Sequence, residues 1–241
     1  MSQNAEGERE FLKFGNAELD RRIGGVPIPS LSLIEGANDS GKTTFTQQIA
    51  YGVVSNGLKV IYFTTEESIQ GLLRNMKSLS WDITDAYITG RLKVISINTM
   101  KINWEPEISK YYLITLSNYL KKKLEGFNFV VIDSLTHLVT HANPSDIIDF
   151  FGLCRSIVDT QKKSFALTIH PYALNAGLAI RMRSFCDGQF LLEKKNFRDK
   201  DVLSLTVAKL KGAAKTGDSM ITFEVSPAFG IKILPFTSTR G

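Results

Sequence analysis

Cysteine is scarce in this 241-residue chain. Cys154 and Cys186 are the only two. Their separation fits neither a zinc site nor a CxxC redox pair, so both read as reduced thiols of a cytoplasmic protein. Histidine is as thin, at three residues. His137, His141 and His170 are too scattered to argue for a metal centre. No apolar run approaches the roughly 18–20 residues needed to cross a bilayer. The first ten residues are polar and acidic, which excludes a signal peptide there. Any membrane association is therefore expected to be peripheral. Charge of one sign is also modest: the net charge is +5. That is short of a polybasic nucleic-acid binder, while permitting contact with nucleic acid, an anionic membrane or an acidic partner. Internal repeats and low-complexity tracts are missing as well.

What is present suits one large α/β domain. Apolar residues make up 43% of the chain and charged residues 22%, enough for a sizeable core. Residues 1–10 read as a disordered tail, and 11–241 as a single domain. A short helix is expected over Ala17–Arg22, broken by Gly24-Gly25, Pro27 and Pro29. A strand follows over 30–35, then a glycine-rich loop and a helix from about Thr43 to Asn56, with Gly57 at its C-terminal cap. Strands are expected at 58–65, 91–98, 128–134 and 164–170. Helices are expected at Ser68–Leu79, Pro106–Leu124 and Pro144–Thr160. The stretch Ala173–Arg183 is ambiguous. Three further strands fall near 188–195, 202–211 and 220–227, joined by turns around Asn196–Asp199 and Gly212–Asp218. Near-continuous apolar strands alternating with helices argue for a mostly parallel sheet covered on both faces, ending in antiparallel strands.

The segment Gly36-Ala37-Asn38-Asp39-Ser40-Gly41-Lys42-Thr43-Thr44 matches G-x-x-x-x-G-K-[ST], between an expected strand and an expected helix. Glycines at 36 and 41 permit backbone angles that turn amide N–H groups toward phosphate oxygens. The helix adds its N-terminal amides and dipole. Lys42 is placed to reach the β- and γ-phosphates, and the Thr43 hydroxyl to ligate Mg²⁺. The expected ligand is Mg-ATP, touching Gly36, Asn38, Asp39, Ser40, Gly41, Lys42, Thr43 and Thr44. A carboxylate at Asp39 is unusual beside phosphates. It either points outward into solvent or tunes turnover or a neighbouring subunit's contact.

Asn128 to Ser134 has the form of a Walker B strand, with Asp133 at its tip able to hold Mg²⁺ directly or through water. Glu66 and Glu67 end the strand after the loop helix. Either could orient an attacking water, or both could cap the next helix. His170 ends another strand and reads as a γ-phosphate sensor or a satisfied structural histidine. Lys209, Lys211 and Lys215 are candidates for reaching a neighbouring subunit's phosphate, or form a solvated face. Tyr172 to Arg183 could line a pore or bind single-stranded nucleic acid, or be an ordinary amphipathic segment.

These motifs, with the KLKGAAKTGD…FEVSPAFGIKI ending and the FGNAELDRRIGGVPIPSLSLIEG opening, resemble the RecA-like P-loop ATPases of the KaiC type over nearly the whole chain. GANDSGKTT and the single-domain length most resemble the FlaH (ArlH) branch, accessory ATPases of the archaeal flagellum, the archaellum. The resemblance implies a cytoplasmic protein, peripheral at the cytoplasmic face of the membrane at the motor's base. It implies a hexameric ring that binds ATP with weak or absent turnover, partnered by the motor ATPase FlaI and a cytoplasmic scaffold protein. Lys42, Thr43 and Asp133 match the family's lysine, Mg²⁺ hydroxyl and Walker B acid. Glu66 and Glu67 match its water-activating pair. The family's Lys-x-Arg is Lys209-Leu210-Lys211 here, and lysine lacks arginine's planar fork. Nucleic acid is not an expected partner. Two other readings stand beside this one, a DNA-binding recombinase-like ATPase and a KaiC-like signalling ATPase.

Overall fold

The computed structural model describes residues 10–197, 200–212 and 220–234, with backbone alone for Phe197 and Lys200. The expected tail therefore lies outside the described residues, except Glu10. That residue opens β1 (Glu10–Leu12), which pairs antiparallel with β2 (Val26–Ile28) in a small sheet of its own. Pro27 was expected, with Gly24-Gly25 and Pro29, to end the first helix, and the helix over Ala17–Ile23 does stop before it. Pro27 sits in a two-stranded edge pair, where a missing N–H is tolerated. Between the two strands lies α1 (Ala17–Ile23), capped by the Asn16 side chain.

The main sheet is built from β3 (Leu31–Gly36), β4 (Val60–Thr64), β5 (Leu92–Ser96), β6 (Phe129–Asp133), β7 (Ser164–Ile169), β8 (Gly188–Phe197), β9 (Lys200–Leu210), β10 (Met220–Ser226) and β11 (Gly230–Ile233). Their spatial order is β11-β10-β9-β8-β3-β7-β6-β4-β5. From β8 to β5 all neighbours are parallel. From β8 to β11 they are antiparallel. The helices are α2 (Lys42–Ser55), α3 (Ile69–Ser78), α4 (Thr84–Ile88), α5 (Pro106–Lys123), α6 (Thr136–Thr140), α7 (Pro144–Gln161) and α8 (Ala176–Phe185).

The period of two along each strand sorts these helices into layers. Val60, Tyr62, Phe129, Val131 and Ala166 join the core beneath α1–α4. Ile61, Phe63, Val130, Ile132, Phe165 and Leu167 join the core beneath α5–α8. Both faces of the parallel strands are buried, which is why they read as unbroken apolar runs. In β10 only alternate residues, Ile221 and Phe223, are buried.

The expected helices and strands are found within a few residues. The ambiguous stretch resolves into a single 3₁₀ turn at Pro171–Ala173 and then α8, whose first turn is capped by the Asn175 carboxamide. Asn196 was expected in a turn and instead pairs with Asp201 inside the β8–β9 hairpin. The expected turn at Gly212–Asp218 lies, beyond Gly212, outside the described residues. Gly57 takes φ +77° just past α2, as a C-terminal glycine should.

Candidate functional site

Parallel pairing brings the tips of four strands to one edge. Gly36 ends β3, Thr64 ends β4, Asp133 ends β6 and Ile169 ends β7, and the register sets Thr64 beside Asp133. Above them the chain turns from β3 into α2. Gly41 caps that helix at φ +90° and has no side chain to offer its first-turn amides, which no side chain among the described residues caps. A left-handed residue is required at 41, and a Cβ there would press on Leu203 Cδ1 at 3.1 Å and Phe223 Cζ at 3.2 Å. The reason for glycine at 36 differs from the expected one. Its φ is not positive. Instead a Cβ would lie 2.5 Å from the Leu192 carbonyl oxygen, because β8 runs alongside. Close backbone approach, not a special angle, excludes a side chain at Gly36.

Lys42 is buried, and its Nζ donates to the Ala37 carbonyl at 2.7 Å and meets His170 Nε2 at 3.1 Å. Burial lowers its pKa, opposed by the charges of Glu66, Asp133 and Asp39. An ammonium can only donate, so His170 Nε2 must accept. The imidazole is therefore neutral with its proton on Nδ1, directed at Thr136 Oγ1 2.8 Å away. Burial, then the charge of Lys42, lowers the His170 pKa and so favours that neutral form. The structure thus brings His170 to the loop lysine, the position its sensor reading requires.

Asp133 is buried and ringed by hydroxyl donors. Thr168 Oγ1 donates to Oδ1 at 2.7 Å, and Tyr62 OH to Oδ2 at 2.8 Å. Thr46 Oγ1 lies 3.4 Å from Oδ2, and the Thr43 hydroxyl is near enough to lower the Asp133 pKa. Burial raises the Asp133 pKa, and the nearby Glu66 charge adds to this, while the hydroxyls pull it back. Glu66 Oε1 accepts from Ser134 Oγ at 3.1 Å, and Glu66 is the charge that acts most strongly on Lys42. Glu67 turns the other way. Both its oxygens accept from Asn75 Nδ2 on α3, at 2.9 and 3.0 Å. Burial raises its pKa, an effect the Asn75 bond opposes.

Asn38 to Thr44 line a cavity of about 710 Å³, with Glu66, Glu67, His170 and Tyr172 among its other walls. Asp39 lies on the rim, exposed, in the left-handed region at φ 57°, which matches the outward reading. Of the remaining described candidates, Lys209, Lys211 and Arg183 do not join this site. Lys209 Nζ donates to the Arg183 carbonyl, and Lys211 Nζ pairs with Asp187 at 3.7 Å. Both lie at the opposite end of the sheet, beside the start of β8. Lys215 falls outside the described residues. Arg183 is no free ligand-binding cation: it makes a forked pair with the buried Glu35, at 2.9 and 2.7 Å.

Tyr62, Thr168 and Thr46 were missed from the sequence. Tyr62 offered a signal. A tyrosine inside an otherwise apolar buried strand needs a partner for its hydroxyl, and the two here are Asp133 and Thr46.

The residues fit a nucleoside triphosphate with a hard divalent cation. Two glycines keep the loop backbone bare, the helix amides are uncapped, a buried ammonium faces the cavity, and a hydroxyl and a carboxylate adjoin at Thr43 and Asp133. Such a cation commonly takes one or two protein oxygens and shares the phosphates.

Comparison with known proteins agrees with this geometry. The family model described as "ATPase: KaiC" matches residues 12–238. The archaeal flagellar ATP-binding protein FlaH of Sulfolobus acidocaldarius is 31% identical over 230 residues, covering 95% of this chain and 99% of the relative. The crystal structure of the flagellar accessory protein FlaH from Methanocaldococcus jannaschii superposes with a TM-score of 0.79 at 24% identity, covering 94% and 99% of the two chains. A KaiC-like protein of Pyrococcus horikoshii gives a TM-score of 0.76 at 21% identity, covering 94% of this chain and all of the other. These two structural matches speak for the fold. The chain belongs to the KaiC family of RecA-like ATPases, within its FlaH group.

Proposed function

We propose that this protein binds Mg-ATP in the cavity beneath α2 and works as a nucleotide-gated assembly component of the archaellum motor. Relatives described as archaeal flagellar ATP-binding proteins support the ligand and the setting. In this reading Lys42 holds the β- and γ-phosphates, and Thr43 and Asp133 hold Mg²⁺. Glu66 is the carboxylate placed to orient a water. A hexameric ring at the cytoplasmic face of the membrane, joined to the motor ATPase FlaI and the cytoplasmic scaffold protein, completes the reading.

One observation carries the emphasis on binding over turnover. The phosphate-binding set is assembled within the chain, whereas the place of the family's Lys-x-Arg holds Lys209-Leu210-Lys211, and lysine lacks the planar fork of a trans-acting arginine. A nucleotide shifts a conformational equilibrium only by its differential affinity for the two states. The test is therefore the affinity for FlaI with and without ATP, for wild type and Lys42→Ala. Wild type should bind FlaI differently with ATP, and Lys42→Ala should not respond. Equal affinity in all four cases overturns the proposal. The DNA-binding alternative loses Arg183 to the Glu35 pair and keeps only the exposed Arg181 and Tyr172 of that segment.

A further inference from the structure

The end of the sheet opposite the phosphate loop gathers cations that nucleotide binding does not use. Strands β4 to β7 all begin there. Backbone bonds tie Val60 to Arg91, Asn128 to Lys59 and Ser164 to Asn128 across that edge. Helix α5 returns to the same edge and finishes in Lys121, Lys122 and Lys123, and α7 ends just before Lys162 and Lys163. Lys59 and these five are exposed, apart from Lys163, which is half-buried. Among the described residues none of the six forms an ion pair. Glu125 is the one acid in the connecting segments 56–59, 121–128 and 161–164.

A helix dipole favours a cation in the last turn. That accounts for a lysine or two at each helix end, but not for their convergence with Lys59 at the strand starts. A second feature lies at the same edge. Helix α4, just before β5, carries Asp82 and Asp85 nearby, yet projects Ile88 outward at 76% exposure with Tyr87 beside it. Arg91 follows directly and donates to the Val54 carbonyl at the end of α2.

We infer that this end of the molecule is a docking face for the anionic headgroups of a lipid bilayer. Clustered lysines near a surface of opposite charge add their attractions, at short range set by the Debye length. An exposed isoleucine suits the boundary between headgroups and acyl chains. Between Ile88 and Tyr87 only the tyrosine, 38% exposed against 76%, offers a π face of the kind that grips single-stranded nucleic acid, so the dominant exposed surface is aliphatic. Among the described residues no helix is long and apolar enough to cross the bilayer, so the contact is interfacial. The inference stands on charge and exposure and survives even if the cavity proves not to bind ATP.

The test is flotation of the full chain with phosphatidylcholine vesicles, with and without phosphatidylglycerol, across a salt series. Binding should require the anionic lipid and fall steeply as salt rises. Neutralising Lys121, Lys122 and Lys123 to Gln together should weaken it on the order of a hundredfold, from about 1 kcal/mol per basic residue at an anionic surface. Lys162→Gln with Lys163→Gln, at a separate place on the face, should weaken it less but in the same direction. Ile88→Asp should weaken it in either background. Equal partition onto neutral vesicles, or no binding to anionic ones at low salt, overturns the inference. So does tighter binding of a single-stranded oligonucleotide that the same lysine variants abolish.

Discussion

Replacing Arg183 by methionine separates a structural role from a ligand-binding one. Glu35 is buried, and its side chain is 6% exposed against 38% for Arg183. The two nitrogens of Arg183 satisfy both carboxylate oxygens, and Gln189 Nε2 adds a bond to Oε1 at 3.0 Å. Removing one partner of a buried pair strands the other charge, at roughly 3–5 kcal/mol. Here the arginine end is partly wet and Gln189 remains, so the cost falls to the bottom of that range or just below it, about 2–3 kcal/mol. For a chain of this length each kcal/mol lowers Tm by about 2–4 °C, giving a fall of roughly 5–10 °C. Thermal melts with urea titrations read this directly. Glu35→Gln combined with Arg183→Met should recover most of the loss, since no ionised carboxylate is left unpaired. Glu35 immediately precedes Gly36, so the single variant should also weaken nucleotide binding, while any weak affinity for single-stranded DNA stays as it was. A melt unchanged by Arg183→Met, together with lost DNA binding, would refute the reasoning and return Arg183 to a ligand-facing role.

Two more predictions come from the acids of the site. The folded-state pKa of Asp133 is raised, chiefly by burial, so the ionised carboxylate costs stability, and that cost appears as pH rises from the unfolded value through the folded one. Asp133→Asn removes the ionisation and should raise the melting temperature of the ligand-free protein at neutral pH while weakening the Mg²⁺ dependence of nucleotide binding; a lower melting temperature, or an unchanged Mg²⁺ dependence, contradicts the assignment. For residual ATP turnover, Glu66→Gln should cost about 10²–10⁴-fold, the usual contribution of a positioned base, and Glu67→Gln, tied to Asn75, far less. Phosphate-release assays decide between them, and the reverse order would transfer the water-orienting role to Glu67.

How much of this was legible beforehand depended on whether a residue's job was set locally or by a distant strand. The parallel core was readable because Val60 to Thr64 and Phe129 to Asp133 are apolar on both faces, which only a sheet covered on both sides permits. Lys42 and Asp133 were readable because phosphate chemistry demands those types at the ends of such strands. β1 and β2 were not. Each has three residues and one contains Pro27, so their pairing rests on tertiary contact and not on propensity. The same holds within the site. Gly36 is glycine because Leu192, far along the chain, runs past it. Arg183 is structural because Glu35, far back in the chain on β3, faces α8. Glu66 and Glu67 stand next to each other in sequence, yet Ser134 claims one and Asn75 the other. That division depends on the register of β4 against β6 and on the path of α3. A pair of adjacent acids therefore carried a class of chemistry in the sequence, and only packing assigned its members. By the same logic the lysines at the far edge each looked like an ordinary helix end. Their meaning as one face arises where the strands place Lys59, Asn128 and Ser164 side by side.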